Sequence, residues 1–413
     1  MKQQLWITVF LLSVLFSCKN QEDKIIHSDT IDIERGLQNL TRLKASDFGK
    51  TIRFIPLETP DEGLVGRNPV IKVLRNYIII ETQRNCLLFD KKGGRFIAEI
   101  GQFGQGPQDF TDAYSWTDEK EEFLYFRRRP NQLIKYDMNG KFCGNIVFSS
   151  PPGLASYYVF TGNNIIGYFN EIMQNNPYTL GIFDKEGLLK DTIPPLFTRL
   201  QPQDLGVEGI GAISVHRGRI KGKTNSGFIT IDYKDGISQI YPANSERLWK
   251  NTGNIRFKEN FVDTIFTFSE GKLFPTFIFN TGKYHWPIKD INSKQYTNER
   301  IYIEFVYEND THIFFQCIRG IFSNEQIIYN GLYDKITSAT KLCKYIDEIE
   351  DDITYFMPFT PLGVSTSGEF VSLVEAWEVM EWLEKHPGAI NNENLSFLKA
   401  LDEDDNPIVI LIE

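Results

Sequence analysis

Short apolar stretches of four to eight residues recur along most of the chain, and turn-forming residues separate them. From position 77 to 193 these stretches fall into three groups of three. Alternating, β-branched and aromatic stretches of this length are typical of strands rather than helices. The nine predicted strands are Tyr77–Glu81, Cys86–Asp90, Arg95–Ile100, Phe123–Arg127, Leu133–Asp137, Lys141–Phe148, Ile165–Phe169, Thr179–Asp184 and Leu188–Ile193. The pattern predicts an all-β protein.

A turn of the form aromatic–Asp–x–x–Gly ends the middle strand of each group. Its aspartates, Asp90, Asp137 and Asp184, follow one another at intervals of 47 residues. A repeat of about 40–50 residues built from short strands is typical of the blades of a β-propeller. Tyr333–Asp334 repeats the start of the turn farther along the chain. The intervals suggest a six-bladed β-propeller, although periodicity alone does not separate six blades from seven.

The aspartate and glycine of each turn are expected to be structural. An aspartate carboxylate can accept hydrogen bonds from nearby backbone N–H groups, and glycine can adopt the positive φ that a tight turn requires. This predicts structural roles for Asp90 with Gly93, Asp137 with Gly140, and Asp184 with Gly187.

Beyond position 194 the repeat is less regular. Strands are still predicted at Gly227–Tyr233, Ile255–Phe268 and Phe274–Asn280. A short helical insertion is predicted near the C-terminus: Glu375–His386 places apolar side chains on one face, and a second short helix follows at 393–401. The apolar segment 406–412 is expected to pair back into a sheet, since an exposed strand of this kind invites aggregation.

The N-terminus has the features of an export signal. Lys2 precedes twelve apolar residues, Leu5–Phe16, which are too few to span a bilayer. They end in Leu15-Phe16-Ser17-Cys18, which resembles the lipobox of bacterial lipoproteins, with an ordinary secretory signal as the alternative. The predicted organisation is a signal peptide at 1–17, an acylated Cys18 with a tether to residue 50 and one strand near Ile31–Ile33, and the propeller at 51–413. The expected location is the cell envelope, as an outer-membrane lipoprotein facing the periplasm or the cell surface.

Composition excludes several classes of function. The net charge of −10 argues against nucleic-acid binding, which requires a basic surface. Cysteines and histidines lack the spacing of a disulfide framework or a zinc site, and Cys86, Cys143, Cys317 and Cys343 are expected to be small buried residues. No cofactor is predicted. The acidic segment 347–352 has enough carboxylates for Ca²⁺, but it has no EF-hand spacing, and a solvated acidic loop is the preferred interpretation.

Basic residues indicate one possible binding surface. Arg127, Arg128 and Arg129 end one predicted strand, and Arg217 and Arg219 lie in the basic segment 216–223. In an acidic protein, two such loops on one face could attract an anionic glycan or protein partner, whereas two unrelated solvated loops are the alternative. The glycine-rich loop 101–107, with Gln105 and the nearby Asp109, is a further candidate. Its alternative role is a crossing between two blades.

Four segments together resemble a lipoprotein family of six-bladed β-propellers related to NHL-repeat propellers. They are Ile55-Pro-Leu-Glu-Thr59, Phe89–Gly93 leading into Gly104-Gln-Gly-Pro107, Val262-Asp-Thr-Ile-Phe266, and Asn406-Pro407 before the last strand. The resemblance implies a fold and a location but no activity. Two functions remain open: a non-catalytic module that binds a glycan, a peptide or a partner protein, or a propeller hydrolase or lyase with a metal at its centre.

Overall fold

The structure is a computed structural model that describes residues 28–148, 153–170, 178–197, 206–215, 227–234, 236–242, 246–291, 299–323 and 325–413. Strands dominate these residues, as predicted, and most of them form antiparallel sheets of four. The signal peptide, Cys18, Arg217 and Arg219 lie outside the described residues. Within the described part, no helix is long and apolar enough to cross a membrane.

The first three sheets follow the chain without crossovers. Sheet I contains β3 (Val70–Val73), β4 (Tyr77–Glu81), β5 (Cys86–Asp90) and β6 (Phe96–Glu99). Sheet II contains β7 (Ser115–Thr117), β8 (Phe123–Arg128), β9 (Gln132–Asp137) and β10 (Phe142–Val147). Sheet III contains β11 (Tyr157–Thr161), β12 (Asn164–Tyr168), β13 (Leu180–Asp184) and β14 (Leu189–Ile193). The nine predicted strands are therefore the second, third and fourth strands of these sheets, and the first strand of each was missed.

The next two sheets repeat this order. Sheet IV contains β18 (Leu248–Asn251), β19 (Asn254–Phe257), β20 (Thr264–Ser269) and β21 (Lys272–Asn280), with β1 (Asp29–Asp32) added in parallel on β21. Sheet V contains β22 (Ile301–Glu308), β23 (His312–Arg319), β24 (Ile327–Asp334) and β25 (Ala339–Lys344). The stretch 255–268, predicted as one strand, is in fact β19 and β20 joined by a buried turn.

Sheet VI joins the two ends of the folded chain. It contains β26 (Gly363–Val364), β27 (Phe370–Val374), β28 (Ile408–Ile412) and β2 (Ile52–Pro56). The C-terminal β28 lies between β27 and the N-terminal β2, with Ile52 opposite Ile412. All five residues of β28 are buried. The predicted return of the terminal strand into a sheet is confirmed.

The first strands of the six sheets lie beside one another in sequence order. β7 contacts β11, β11 contacts β18, β22 contacts β26, and β26 contacts β3. Side chains complete the remaining two steps: Lys72 of β3 donates a hydrogen bond to the Ser115 carbonyl of β7, and Trp249 of β18 donates one to Glu308 of β22 at 2.9 Å. The first strands therefore surround a common axis.

The segment after residue 28 is docked on the sheets rather than extended as a tether. It forms β1, helix α1 (Ile33–Gln38) and a 3-10 turn at Ala45–Asp47. Ile31 and Ile33 are fully buried against sheets IV and V. The strand predicted near Ile31–Ile33 is therefore present, one to two residues earlier, whereas the helix was missed. Further 3-10 turns lie at Asp61–Gly63, Gly282–Tyr284, Ile288–Asp290 and Tyr345–Asp347.

Two insertions interrupt the repeat. Between sheets III and IV, an additional sheet, termed the insert sheet, contains β15 (Val207–Ser214), β16 (Gly227–Tyr233) and β17 (Ser238–Pro242). It packs on sheet V through Phe228 against Tyr302. The second insertion lies between β27 and β28. It contains helix α2 (Ala376–Lys385) and the 3-10 segments Pro387–Asn391 and Glu393–Lys399, in agreement with the predicted helical insertion. Ala376 and Val379 of α2 are buried.

Three of the four predicted buried cysteines are buried. Cys86, Cys317 and Cys343 lie in the apolar core, but Cys143 is exposed. Exposure alternates along β10, and Cys143 occupies one of its solvent-facing positions. The strand period, rather than the residue type, decides its environment.

Candidate functional site

The beginnings of three first strands bring polar and aromatic side chains together near the axis. Tyr114 directly precedes β7, Tyr157 is the first residue of β11, and Glu246 lies two residues before β18. The charge of Glu246 acts on both tyrosines and is in turn influenced by Lys72 of β3. Lys72, Tyr114, Tyr157 and Glu246 are here called the mouth cluster.

Lys72 fixes one side of the mouth cluster. Its ammonium group lies 2.9 Å from both carboxylate oxygens of Glu81 and 3.3 Å from the centre of the Tyr114 ring. Glu81 is 1% exposed and also accepts a hydrogen bond from the Ser115 backbone at 2.8 Å. Burial raises the pKa of Glu81, and the charge of Lys72 opposes that rise. The ion pair therefore anchors the start of β7 and the Tyr114 ring above it.

The two tyrosines present aromatic surface and hydroxyl groups together. The Tyr114 and Tyr157 rings meet edge-on with centroids 6.0 Å apart, and Tyr114 also packs on Trp116 at 5.2 Å. Both tyrosines are half-buried. Burial, followed by the negative charge of Glu246, raises the pKa of each phenol. Both groups are therefore neutral at physiological pH and can donate hydrogen bonds.

Glu246 is the acidic group of the mouth cluster. Its side chain is exposed, yet loss of hydration raises its pKa to about 7. The charge of Glu81 acts in the same direction, and that of Lys72 opposes it. Both observations fit a carboxyl group that water reaches while nearby protein groups displace part of its hydration. Such a group exchanges a proton near neutral pH.

Behind the mouth cluster lies a second group of polar side chains with little exposure, here called the buried polar cluster. It comprises Tyr168, Arg247, Lys258, Glu259, Asn260 and Tyr302. Tyr168 donates a hydrogen bond to Glu259 at 2.6 Å, and Tyr302 donates one to the Asn260 side chain at 3.0 Å. The Tyr157 and Tyr168 rings, 6.5 Å apart, connect the two clusters.

The three arginines of the predicted binding surface that the structure describes have different surroundings. Arg127 pairs with Asp112 and lies 5.6 Å from the centre of the Trp116 ring, beside the mouth cluster. Arg128 instead binds backbone carbonyls of the glycine-rich loop, among them that of Asp109 at 2.8 Å. Arg129 is exposed. The three arginines thus do not converge on one point.

The glycine-rich loop is held by its own aspartate. Asp109 accepts a hydrogen bond from the Gly106 backbone at 2.6 Å, while Gln105 is exposed. A Cβ atom at position 104 would lie 2.3 Å from the Asp109 carboxylate, which explains the glycine there. The described contacts of Asp109 fit a loop-closing role.

The aspartates of the repeated turns have the geometry of turn residues. Asp90 accepts from the Gly93 and Arg95 backbones, Asp137 from those of Asn139 and Lys141, and Asp184 from those of Glu186 and Leu188. Gly140 and Gly187 have positive φ as predicted. In the first turn the positive φ of 73° belongs to Gly94 and not to Gly93, because this turn is one residue longer before the next strand.

The acidic segment 347–352 is tied to its own surroundings. Asp351 accepts hydrogen bonds from the Thr354 and Phe356 backbones, and Asp352 accepts one from the Ser46 hydroxyl at 2.7 Å. Across the described ranges, no three His, Cys, Asp or Glu side chains are grouped so as to hold a metal ion.

Sequence reasoning missed the mouth cluster because it missed the first strands. β7 is only three residues long, which is too short for an alternating pattern. Glu246 and Arg247 precede β18, which has only four residues. The available signal was positional, since each first strand except β18, which comes after the insert sheet, follows the fourth strand of the preceding sheet along the chain.

A family model described as a domain of unknown function, DUF4934, matches residues 28–413. A search of curated protein sequences found no match. Among solved structures, an exported protein of Bacteroides fragilis NCTC 9343 is similar at 16% identity and a TM-score of 0.64, over 93% of this chain and 99% of that chain. The WD40 repeats of RRP9 match at 10% identity and a TM-score of 0.40, over 91% and 99% of the two chains. BamB from Moraxella catarrhalis matches at 11% identity and a TM-score of 0.32, over 80% and 75%.

Proposed function

We propose that this chain, which belongs to the DUF4934 family, described as a domain of unknown function, is an extracytoplasmic binding protein. Its ligand in this proposal is a glycan, which it binds at the mouth cluster. In this proposal the six four- and five-stranded sheets are the blades of one six-bladed propeller. The ring of first strands and the closure of sheet VI by both chain ends support that count.

The location in this proposal is the cell envelope. Leu15-Phe16-Ser17-Cys18 directs acylation of Cys18, and the lipid anchors the propeller to the outer membrane. A likeness in fold to an exported protein agrees with a position outside the cytoplasm. Stable anchoring requires more than one acyl chain.

The observation that carries the binding function is the contact of the Tyr114 and Tyr157 rings at 6.0 Å, with the charge of Glu246 acting on both phenols. Sugars present apolar C–H faces that pack on aromatic rings, and hydroxyl groups that bond to carboxylates and phenols. A partly enclosed site with aromatic walls and a few polar groups is typical of small-ligand recognition. The mouth cluster offers these elements from three different sheets.

The test is a glycan array probed with the soluble mature protein and two matched pairs of variants. Tyr157→Ala removes an aromatic wall, and Ile336→Ala removes an exposed apolar side chain in the turn between β24 and β25. Glu246→Gln removes the carboxyl group of the mouth cluster. Its control, Glu122→Gln, removes a carboxyl group from the exposed turn between β7 and β8. Both control positions lie at the opposite end of their sheets from the first-strand beginnings.

The proposal expects binding by wild type and by both controls, and at least tenfold weaker binding by Tyr157→Ala. Wild-type protein that binds no glycan, or Tyr157→Ala that binds as wild type does, contradicts it.

A catalytic function is the second candidate, and the pKa of about 7 at Glu246 favours it. A carboxyl group with such a pKa is suited to act as a general acid or base in glycan cleavage. Incubation of each bound glycan with wild type should then release new chain ends, and Glu246→Gln should bind without releasing them. Intact glycans after prolonged incubation with wild type would leave binding as the sole function.

A further inference from the structure

Arg247 and Lys258 differ from the other buried cations of the described chain. Four cationic side chains are less than 9% exposed: Lys91, Arg247, Arg256 and Lys258. Lys91 pairs with Glu369 at 2.7 Å, and Arg256 pairs with Glu308 at 3.2 Å. Arg247 and Lys258, each 1% exposed, form no ion pair with any described residue.

The described contacts of the two side chains leave hydrogen-bond donors unused. Arg247 donates to the Tyr302 hydroxyl and, at 3.5 Å, to the Ile303 carbonyl, while its Nε is buried without a partner. The Lys258 ammonium group has three donors but makes one contact, at 3.5 Å to the Glu259 carbonyl. Burial, and then the charge of Arg247, lower the pKa of Lys258 to about 7 against the opposing charges of Asp263 and Glu259. A buried charge without a directly bound counter-charge is costly, so such groups are normally paired.

The backbone holds the two cations together. Lys258 N–H donates to the Arg247 carbonyl at 2.9 Å, at the end of the β18–β19 hairpin. Phe261, at the end of the same buried turn, has a φ of 61°, a backbone conformation that residues other than glycine rarely adopt. Backbone strain of this kind persists where surrounding packing enforces it. The backbone positions of both residues are therefore fixed by the turn.

The pair lies directly behind the mouth cluster. Glu246, which is open to solvent, immediately precedes Arg247 in the chain. The charge of Arg247 also acts on half-buried Tyr157 and lowers its pKa, against the larger effect of burial. Lys258 has a flexible four-carbon stem, and its ammonium group makes one long contact, at 3.5 Å.

We propose that Arg247 and Lys258 recognise one carboxylate group of the ligand bound at the mouth cluster, so that the ligand is an acidic glycan such as a uronate. Lys258 extends toward the mouth and donates to the carboxylate, and Arg247 supplies the second positive charge behind it. The inference rests on the proposed function and names its ligand class. It also replaces Arg127 and Arg128, whose described contacts are internal, as the source of anion recognition.

The test compares an oligomer of three galacturonate residues with its carboxyl-reduced, neutral counterpart, at equal ionic strength, by calorimetry. Lys258→Met removes the charge and keeps a long apolar side chain. Lys250→Met is the matched control, because Lys250 is a more exposed lysine of the same hairpin that pairs with Glu119 at 2.9 Å.

Wild type and Lys250→Met are expected to bind the acidic oligomer at least tenfold more tightly than the neutral one. Lys258→Met should reduce that preference to threefold or less. Equal affinities of wild type for the two oligomers, or no binding of the acidic one, overturn the inference without any variant. A preference that persists in Lys258→Met overturns it as well.

The two proposals fail separately. If Tyr157→Ala abolishes binding of a neutral glycan while wild type shows no preference for the carboxylate, the mouth cluster binds glycans and the role of the cation pair is wrong. If no glycan binds at all, the proposed function itself is wrong.

Discussion

Tyr157 meets Tyr114 edge-on at 6.0 Å and so joins sheet III to sheet II where their first strands begin. The ammonium group of Lys72, in sheet I, lies over the same Tyr114 ring, 3.3 Å from its centre. Edge-on aromatic pairs and a cation over a ring each add about 0.5–2 kcal/mol. The mouth cluster is thus fixed by contacts among three sheets, and a ligand meets a preformed surface.

The Lys72–Glu81 ion pair should be essential for stability. Lys72→Met leaves a buried carboxylate without its counter-charge, which typically costs about 3–5 kcal/mol. The double variant Lys72→Met/Glu81→Gln should recover part of that loss, because the charge is then absent. Urea denaturation of both variants measures this. A single variant within about 1 kcal/mol of wild type would show that the pair is not a buried, coupled one.

Glu246 should give the protein a pH-dependent stability. Its folded-state pKa of about 7 lies above the usual 4.5, so folding disfavours the ionised form. Stability attributable to this group is therefore present below pH 4.5 and lost as pH rises to about 7. Glu246→Gln should raise the melting temperature relative to wild type at pH 8 and leave it unchanged at pH 4. An equal difference at both pH values would contradict an elevated pKa at Glu246.

The turn aspartates should contribute to stability and not to binding. Asp137→Ala removes two hydrogen bonds to backbone N–H groups, and comparable caps are worth about 0.5–2 kcal/mol. Asn139→Ala in the same turn is the control, since it leaves both bonds in place. Denaturation and glycan binding are measured together. A stable Asp137→Ala protein that no longer binds its glycan would assign the carboxylate a functional role.

Substitution of two glycines by alanine should distinguish the cost of backbone strain from the cost of a steric clash. Gly187 and Gly253 both have positive φ, but a Cβ atom at 187 would lie 2.4 Å from the Val147 carbonyl oxygen, whereas no atom lies within 4 Å at 253. Gly187→Ala should therefore lose more stability than Gly253→Ala, by about 1–3 kcal/mol. Equal losses in the two variants would mean that the sheet II–III junction is looser than the structure indicates.

The propeller-like repeat was predictable because it depends on local patterns. The turn from Asp90 to Gly94 and its later copies combine strand periodicity with turn chemistry, and both are visible in the sequence. β28 was also predictable, since five consecutive apolar residues need a buried position. By contrast, β7 has three residues and no alternation, so its place follows only from the sheets on either side.

The candidate site was not predictable for a related reason. Arg127 and Arg128 are adjacent in sequence, yet Arg127 binds Asp112 while Arg128 binds the glycine-rich loop. Arg247 and Lys258 are eleven positions apart and meet through a hairpin. Whether a cationic side chain forms an ion pair depends on contacts between segments that are distant in sequence. Composition and local patterns do not predict those contacts.

Anchoring depends on Cys18 in this account. Cys18→Ala should abolish labelling by a clickable fatty acid and release the protein from the membrane fraction. Ser17→Ala, which keeps a small residue before the cysteine, should retain both labelling and membrane association. Labelling that persists in Cys18→Ala would contradict the proposed anchor.

Radical footprinting of the mature protein, with and without a glycan that binds on the array, tests the central claim most directly. Tyr114 and Tyr157 are half-buried and open to oxidation from the mouth, while Tyr355, 73% exposed, serves as the internal reference. The account predicts that the glycan lowers oxidation of Tyr114 and Tyr157 and leaves Tyr355 unchanged. Protection elsewhere, with Tyr114 and Tyr157 oxidised as in the free protein, would contradict a ligand site at the mouth cluster.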